Sequence, residues 1–220
     1  MKLTNNLYLY PECGMLDCNT YVITGDPGVI IDTGNTMFLN ERLEGMRQDG
    51  IDPSSIGIIA NTHLHIDHCS ANETFKEISG AKITLHPVQK ANYDFVVIEG
   101  ARIFGIAPAE FTEDAVFDDH RLAIGDTAWE MIVAPGHSPD CVCFYNGKEK
   151  ILICGDVLFE MNTGRVDLPG GNGDELKKTI TSLSKMDIDY LLPGHMGTVN
   201  GADKVQANFE FIMGNVFPWL

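Results

Sequence analysis

The sequence predicts an α/β fold, a four-layer αβ/βα sandwich in which two mixed β-sheets pack face to face with helices outside. Three observations point there. Short apolar runs recur along the 220 residues, each bounded by Gly, Pro, Asn or Asp, as buried strands are. Segments with apolar residues at helical spacing alternate with them and stop at glycines. Both halves of the chain show strands first and then strand and helix in alternation, and no Ser/Gly-rich linker divides them. Residues 1–220 are therefore read as a single domain.

In chain order, residues 6–10 (NLYLY), 19–24 (NTYVIT) and 28–32 (GVIID) read as successive strands, with Asp26-Pro27-Gly28 as a turn. A helix is expected from about Thr36 to Gln48, with Phe38, Leu39, Leu43 and Met46 on one face. IGIIA (56–60) reads as a buried strand, 72–79 as a helix stopped by Gly80, and KITLH (82–86) as a short strand. Pro87 suits the first position of another helix. The stretch 95–114, broken by Gly100, Gly105 and Pro108, is expected to form a lid, a border of the active site or a dimer surface. Proximity to substrate is preferred, since long irregular segments in compact domains tend to be functional. Strands return with AVF, RLAI before Gly125-Asp126, WEMIVA (129–134), CVCFY (141–145) and KILIC (150–154), the last two joined at Asn146-Gly147. A helix over 174–185, the strand DYLLP (189–193) and a helix over 204–213 complete the chain.

Composition excludes several classes. A net charge of -16 repels phosphate backbones, so nucleic acid is not an expected partner. No apolar stretch approaches the ~20 residues of a membrane span, and MKLTNNLYLY lacks the apolar core of a signal peptide. A cytoplasmic protein is expected, and with it six reduced cysteines acting mainly as small buried apolar groups. Cys69 and the Cys13/Cys18 pair are the candidates for a redox role.

The chemistry-bearing residues stand at strand ends. His63-Leu64-His65-Ile66-Asp67-His68 follows the IGIIA strand, where the chain turns into a loop and four donor side chains can converge. Imidazole and carboxylate without thiolate suit Zn, Fe or Mn. His137 follows WEMIVA, Asp156 follows KILIC and His195 follows DYLLP, each behind a Gly that lets the backbone approach closely. His86 and His120 fall outside this pattern and read as structural or surface residues.

HxHxDH, a later Gly-His, a Gly-Asp after an apolar strand and a last Gly-His, in that order, resemble the metallo-β-lactamase superfamily. The resemblance implies that fold and two divalent metal ions, zinc first, with iron or manganese as alternatives. It implies His63, His65 and His137 on one ion, Asp67, His68 and His195 on the other, and Asp156 bridging. Asp67 and Asp156 are the implied catalytic residues, and Asp32 in the Asp-Thr-Gly turn an implied buttress of the ligand loop. A hydroxide shared by the ions would be the nucleophile, the ions lowering the pKa of bound water towards about 7.

The segments GDVLF (155–159) and GRVDLPGG (164–171) resemble the glyoxalase II-like branch. The implied activity is hydrolysis of a hydroxyacylglutathione-type thioester; Arg165 is expected either to anchor the loop beside the site or to touch substrate. The chain resembles the short form of that branch: beyond residue 200 the one Lys or Arg is Lys204, so the basic residues that hold glutathione have no counterpart. Asp140 and Cys141 replace the Gly and small hydroxyl residue usual there, which puts an extra carboxylate near the metals, with expected effects on metal preference or anionic substrates. The alternatives are a persulfide dioxygenase with one Fe(II) on His63, His137 and Asp156, a lactonase or esterase, and a non-catalytic metal-binding protein. A small-molecule thioester or ester is the expected partner, and a homodimer is compatible with the sequence.

Overall fold

Every residue of the GVII strand is buried, and its two sides meet different layers. Val29 and Ile31 face a core shared with Trp129, Phe144 and Ile153, whereas Ile30 faces Leu43, Met46 and Phe75. A strand covered on both faces loses the polar alternation of a half-solvated one, which is why this stretch reads as a continuous apolar run. The computed structural model describes residues 1–118, 120–125 and 127–220. Asp119, in the charged run before Arg121, and Asp126, in the expected turn after Gly125, lie outside the described residues.

The first sheet holds β1 (Leu7–Tyr10), β2 (Thr20–Ile23), β3 (Gly28–Ile31), β4 (Ile56–Ala60), β5 (Lys82–Leu85) and β6 (Ala115–Val116), in that spatial order. β1 to β3 pair antiparallel, and β3 to β6 pair parallel. The second sheet contains β7 (Arg121–Ile124), β8 (Thr127–Val133), β9 (Val142–Asn146), β10 (Ile151–Gly155), β13 (Tyr190–Pro193) and β14 (Val199–Asn200). Its order is β14-β13-β10-β9-β8-β7, with β10 and β13 parallel and the other neighbours antiparallel. A small hairpin, β11 (Leu158–Phe159) with β12 (Asn162–Thr163), lies between β10 and the next helix.

Helices α1 (Leu39–Gln48) and α3 (Asn72–Ser79) cover the first sheet, and α6 (Gly173–Leu183) and α7 (Ala202–Phe211) cover the second. The remaining helices are α2 (Ile66–Cys69), α4 (Pro87–Tyr93) and α5 (Gly100–Phe104). Three cores result, one between the sheets and one under each helical layer, as the predicted four-layer sandwich requires. No helix among the described residues is long and apolar enough to cross a membrane.

Two readings of the sequence change. The 95–114 stretch is not a plain loop: α4 runs on through a π-helical turn at Asp94–Glu99 into α5, which stops at Gly105 in a left-handed conformation, φ 66°. Gly100 sits inside this continuous rod, its propensity cost overridden by the tertiary context. The β9–β10 connection is wider than a two-residue turn, and the Asn146 side-chain oxygen accepts from the backbone N–H of Lys148 and of Glu149, both at 3.1 Å. The two-residue strands β11, β12 and β14 were not predicted, being too short to show any alternation.

Candidate metal centre

The seven predicted donors stand on the loops and the short helix α2 that follow β4, β8, β10 and β13, and β3 leads into Asp32 beside them. His63, His65 and His137 bring one ring nitrogen each to within 4.8 Å of one another. Asp67, His68 and His195 form a second such set, and His63, His68 and Asp156 a third that joins them. Asp156 Oδ2 is 3.6 Å from His137 Nε2 and 3.3 Å from His195 Nε2, which places this carboxylate between the two trios.

Most of the histidines are held from behind. His68 Nδ1 lies 2.9 Å from Asp32 Oδ2, His195 Nδ1 lies 2.8 Å from Glu12 Oε2, and His137 Nδ1 lies 2.7 Å from the carbonyl oxygen of Arg165. A carbonyl only accepts, so His137 Nδ1 carries the proton and its Nε2 presents a lone pair. His63 Nδ1 contacts Thr62 Oγ1 at 3.2 Å; that hydroxyl donates to Asp32 Oδ2 and therefore accepts from the ring. His63 Nε2 and His137 Nε2 both approach His65 Nδ1 at 3.0 Å. One proton at most can lie among these three nitrogens, so their lone pairs converge. A tetrahedral ion with bonds of ~2.0–2.1 Å separates its ligands by about 3.3 Å, close to the spacing found here. The buried atoms His68 Nε2 and Asp156 Oδ1 face each other at 3.4 Å without forming a hydrogen bond, an arrangement that a shared cation would satisfy. The residues fit two divalent ions.

The electrostatics agree. Burial, then the neighbouring imidazoles, holds His63 well below its ordinary pKa and His65 at about 3, so both are neutral donors. Burial opposes charge on Asp156 as well, yet His68, His195 and His137 outweigh it and keep the carboxyl ionised. Burial likewise opposes a proton on His195, but bonds to Asp156 and Asp67 raise it to about 10.

Asp32 occupies the predicted position beneath the ligand loop. Fully buried, it accepts from the Thr62 N–H and hydroxyl, both at 2.7 Å, as well as from His68. Glycine is required behind two ligands. A Cβ on Gly194 would stand 2.3 Å from Asp156 Oδ1, and one on Gly155, at φ 51°, would stand 2.4 Å from Thr62 Oγ1. Arg165 contributes its backbone carbonyl to the centre, while its guanidinium lines the adjoining cleft and pairs with Asp167 at 2.6 and 2.7 Å.

Asp140 corrects an expectation. It is wholly buried and fully engaged by the chain, accepting from the Leu64 N–H at 2.8 Å and from the Ser138 hydroxyl. It therefore holds the 63–65 loop through the Leu64 amide. Cys69 is equally buried, and its thiol, pushed up by burial, donates to the Leu64 carbonyl. Cys18 is buried too, whereas Cys13 is exposed, and all six cysteines are free.

Glu12 is the functional residue the sequence reading missed. The loop that carries it is clamped to the His195 loop: Asn19 donates to the carbonyls of Pro193 and Met196, both at 3.0 Å, and Tyr21 donates to Pro193 at 2.7 Å. Glu12 and His195 stand 183 positions apart, and no local motif announces the pairing.

Comparison with known proteins identifies the chain. The metallo-beta-lactamase superfamily model matches residues 13–195, and the chain belongs to that superfamily. Its fold is the superfamily's sandwich, and its relatives include proteins named as probable metallo-hydrolases. The "Probable metallo-hydrolase" of Methanocaldococcus jannaschii is 30% identical over 187 residues, 80% of this chain and 86% of that one. An uncharacterised Aquifex aeolicus protein is 35% identical over 126 residues, 57% of this chain and 59% of that protein. "Glyoxylase B2" of Dictyostelium discoideum is 33% identical over 130 residues, 54% of this chain and 41% of that protein. Among solved structures, the B3 metallo-beta-lactamase BLEG-1 superposes with a TM-score of 0.74 at 26% identity, covering 91% of this chain and 95% of that one. TTHA1623 in a di-iron-bound form superposes with a TM-score of 0.74 at 25% identity, covering 96% of this chain and 100% of that one. Divalent metals, often two, are bound by this fold.

Proposed function

We propose that the protein is a binuclear metal-dependent hydrolase of the glyoxalase II-like kind, cleaving a thioester or a related ester. The observation that carries the reading is the convergence of seven donors with their outer atoms anchored, open to a cleft. His63, His65 and His137 would hold one ion, Asp67, His68 and His195 the other, and Asp156 both. Two bound cations supply Lewis acidity and lower the pKa of water towards about 7. Asp32, Glu12 and the Arg165 carbonyl keep the imidazoles aimed at the ions. Asp67 is the more open of the two carboxylates, its side chain 21% exposed against 10% for Asp156, and would be the one to take a proton from attacking water. A thiolate leaves readily at a thiol pKa of about 8.5, so the centre needs no separate acid.

Two features favour this reading over its competitors. The second trio offers donors for a second ion, which the one-iron dioxygenase would leave unused, and the partial likeness to Glyoxylase B2 supports thioester chemistry. The metal is proposed to be zinc, with iron or manganese as alternatives. Elemental analysis of protein purified without chelator is expected to show two metal equivalents per chain. Metal-loaded protein should cleave a thioester faster than its oxygen ester or lactone analogue. One iron per chain together with oxygen consumption on glutathione persulfide would overturn the proposal.

A further inference from the structure

The centre opens into a cleft of about 700 Å³, within the range of small-molecule sites. Part of its wall comes from the helical rod after α4, which contributes Phe95, Val96, Val97 and Ala101, and from Ile106 just beyond the rod. Four large apolar side chains stay open to solvent at this one concavity: Leu16 at 61%, Phe95 at 43%, Ile106 at 44% and Met196 at 54% exposure. Scattered apolar side chains are ordinary on a protein surface, but a cluster lining a reacting centre marks a binding site.

The wall is also supported from behind. Gly170, at φ 83°, packs so closely that an added Cβ would stand 2.8 Å from both Phe95 Cε1 and Pro139 Cδ. The GRVDLPGG segment thus seats Phe95, and Leu168 and Pro169 extend the apolar lining. Charge is scarce. Arg165 is the one Lys or Arg among the described residues lining the cleft, and Asp167 already engages it through two contacts. A thiol bearing two carboxylates, approaching a chain of net charge -16, meets no Lys or Arg among the described lining residues that is not already paired.

We propose that this cleft holds a long apolar acyl chain, so that the substrate class is a fatty-acyl or arylalkanoyl thioester rather than a short polar acyl conjugate of an anionic thiol. The inference rests on the hydrolase reading above and specifies its substrate. Hydrolysis adds water across the acyl C–S bond: oxygen joins the acyl carbon, the C–S electron pair leaves with sulfur, and a water proton ends on the thiolate. The chain seated along Phe95 and Val97 would hold the carbonyl beside the donors.

The test uses metal-loaded protein and N-acetylcysteamine thioesters, whose thiol is uncharged, from acetyl to decanoyl. Each fully buried methylene should raise kcat/KM about fourfold (~0.8 kcal/mol). If half of the six methylenes separating octanoyl from acetyl become buried, the gain is roughly sixtyfold. Ala101→Trp, which fills the wall, should collapse that ratio, with its thermal midpoint checked against wild type. Independently of turnover, the neutral probe N-phenyl-1-naphthylamine should fluoresce in the cleft and be displaced by decanoate but not by acetate. A flat chain-length series, or faster cleavage of lactoylglutathione than of the octanoyl thioester, would overturn the inference while leaving the hydrolase reading intact. If no thioester is cleaved by protein carrying two metals, the hydrolase reading fails, and displacement of the probe by decanoate then decides whether the acyl site stands.

Discussion

Asp17→Ala probes the part of the molecule that carries the missed residue. Arg42, on α1, is enclosed with Asp17, their side chains 1% and 0% exposed. The guanidinium donates to both Asp17 carboxylate oxygens at 3.1 Å, to the Thr33 carbonyl at 2.9 Å and to the Cys18 carbonyl at 3.1 Å. The same carboxylate accepts from the N–H groups of Cys13 and Asn35, at 2.8 and 2.9 Å. Removing it leaves a buried cation without its counter-charge, a change that costs about 3–5 kcal/mol. For a chain of this size ~1 kcal/mol lowers the melting temperature by about 2–4 °C, so a fall of roughly 6–20 °C is expected. Asp17→Asn keeps an acceptor and isolates the charge. Asp17→Leu combined with Arg42→Met replaces the pair by apolar bulk and should recover most of the loss. Urea unfolding at saturating metal, with m-values compared, measures all of these. A loss below about 1 kcal/mol in Asp17→Ala, or a double variant no better than the single one, would refute the claim that charge burial dominates here.

Three further outcomes follow from the site. Asp156→Ala should strip or scramble the metals and abolish hydrolysis; retained metal with near-normal turnover would remove Asp156 from its bridging place. Glu12→Ala should weaken metal retention 10- to 100-fold, the usual effect of losing a histidine's outer partner, and Glu12→Gln should restore part of it. Competition with a metallochromic chelator reads both, and an unchanged affinity in Glu12→Ala would show that His195 needs no orienting carboxylate. Burial pushes the Asp140 carboxyl up to about 6, against its ordinary value of 3.8. Folded protein therefore binds more protons than unfolded protein between those values, and this group's contribution to stability declines as pH rises through that window. Asp140→Asn, which preserves a bond to Leu64 and one to Ser138, should gain on wild type by on the order of 3 kcal/mol between pH 3.8 and 6. A stability difference that does not change with pH would contradict the buried-carboxyl account.

Periodicity was a good guide wherever an element packs on a continuous face. The helix over 72–79 and the GVII and IGIIA strands were legible because burial on their faces imposes the apolar pattern directly. The 95–114 stretch misled because Gly100 and Gly105 look like breakers, yet only Gly105 ends a helix, and the rod between them is ordered by apolar contacts. Asp140 misled for a different reason: its neighbour His137 faces the centre, but a carboxylate three positions later turns inward to cap the Leu64 amide.

The sequence by itself determined the fold class and nominated the seven donors that the fold brings together, because such side chains stand at the ends of strands whose burial shows in their own pattern. Tertiary structure alone decided which groups orient those donors, how the lining of the cleft is distributed and whether Arg165 is free to meet an anion. Those properties depend on pairs such as Glu12 with His195 and Phe95 with Gly170, whose partners are brought together by the chain's path and leave no trace in local order.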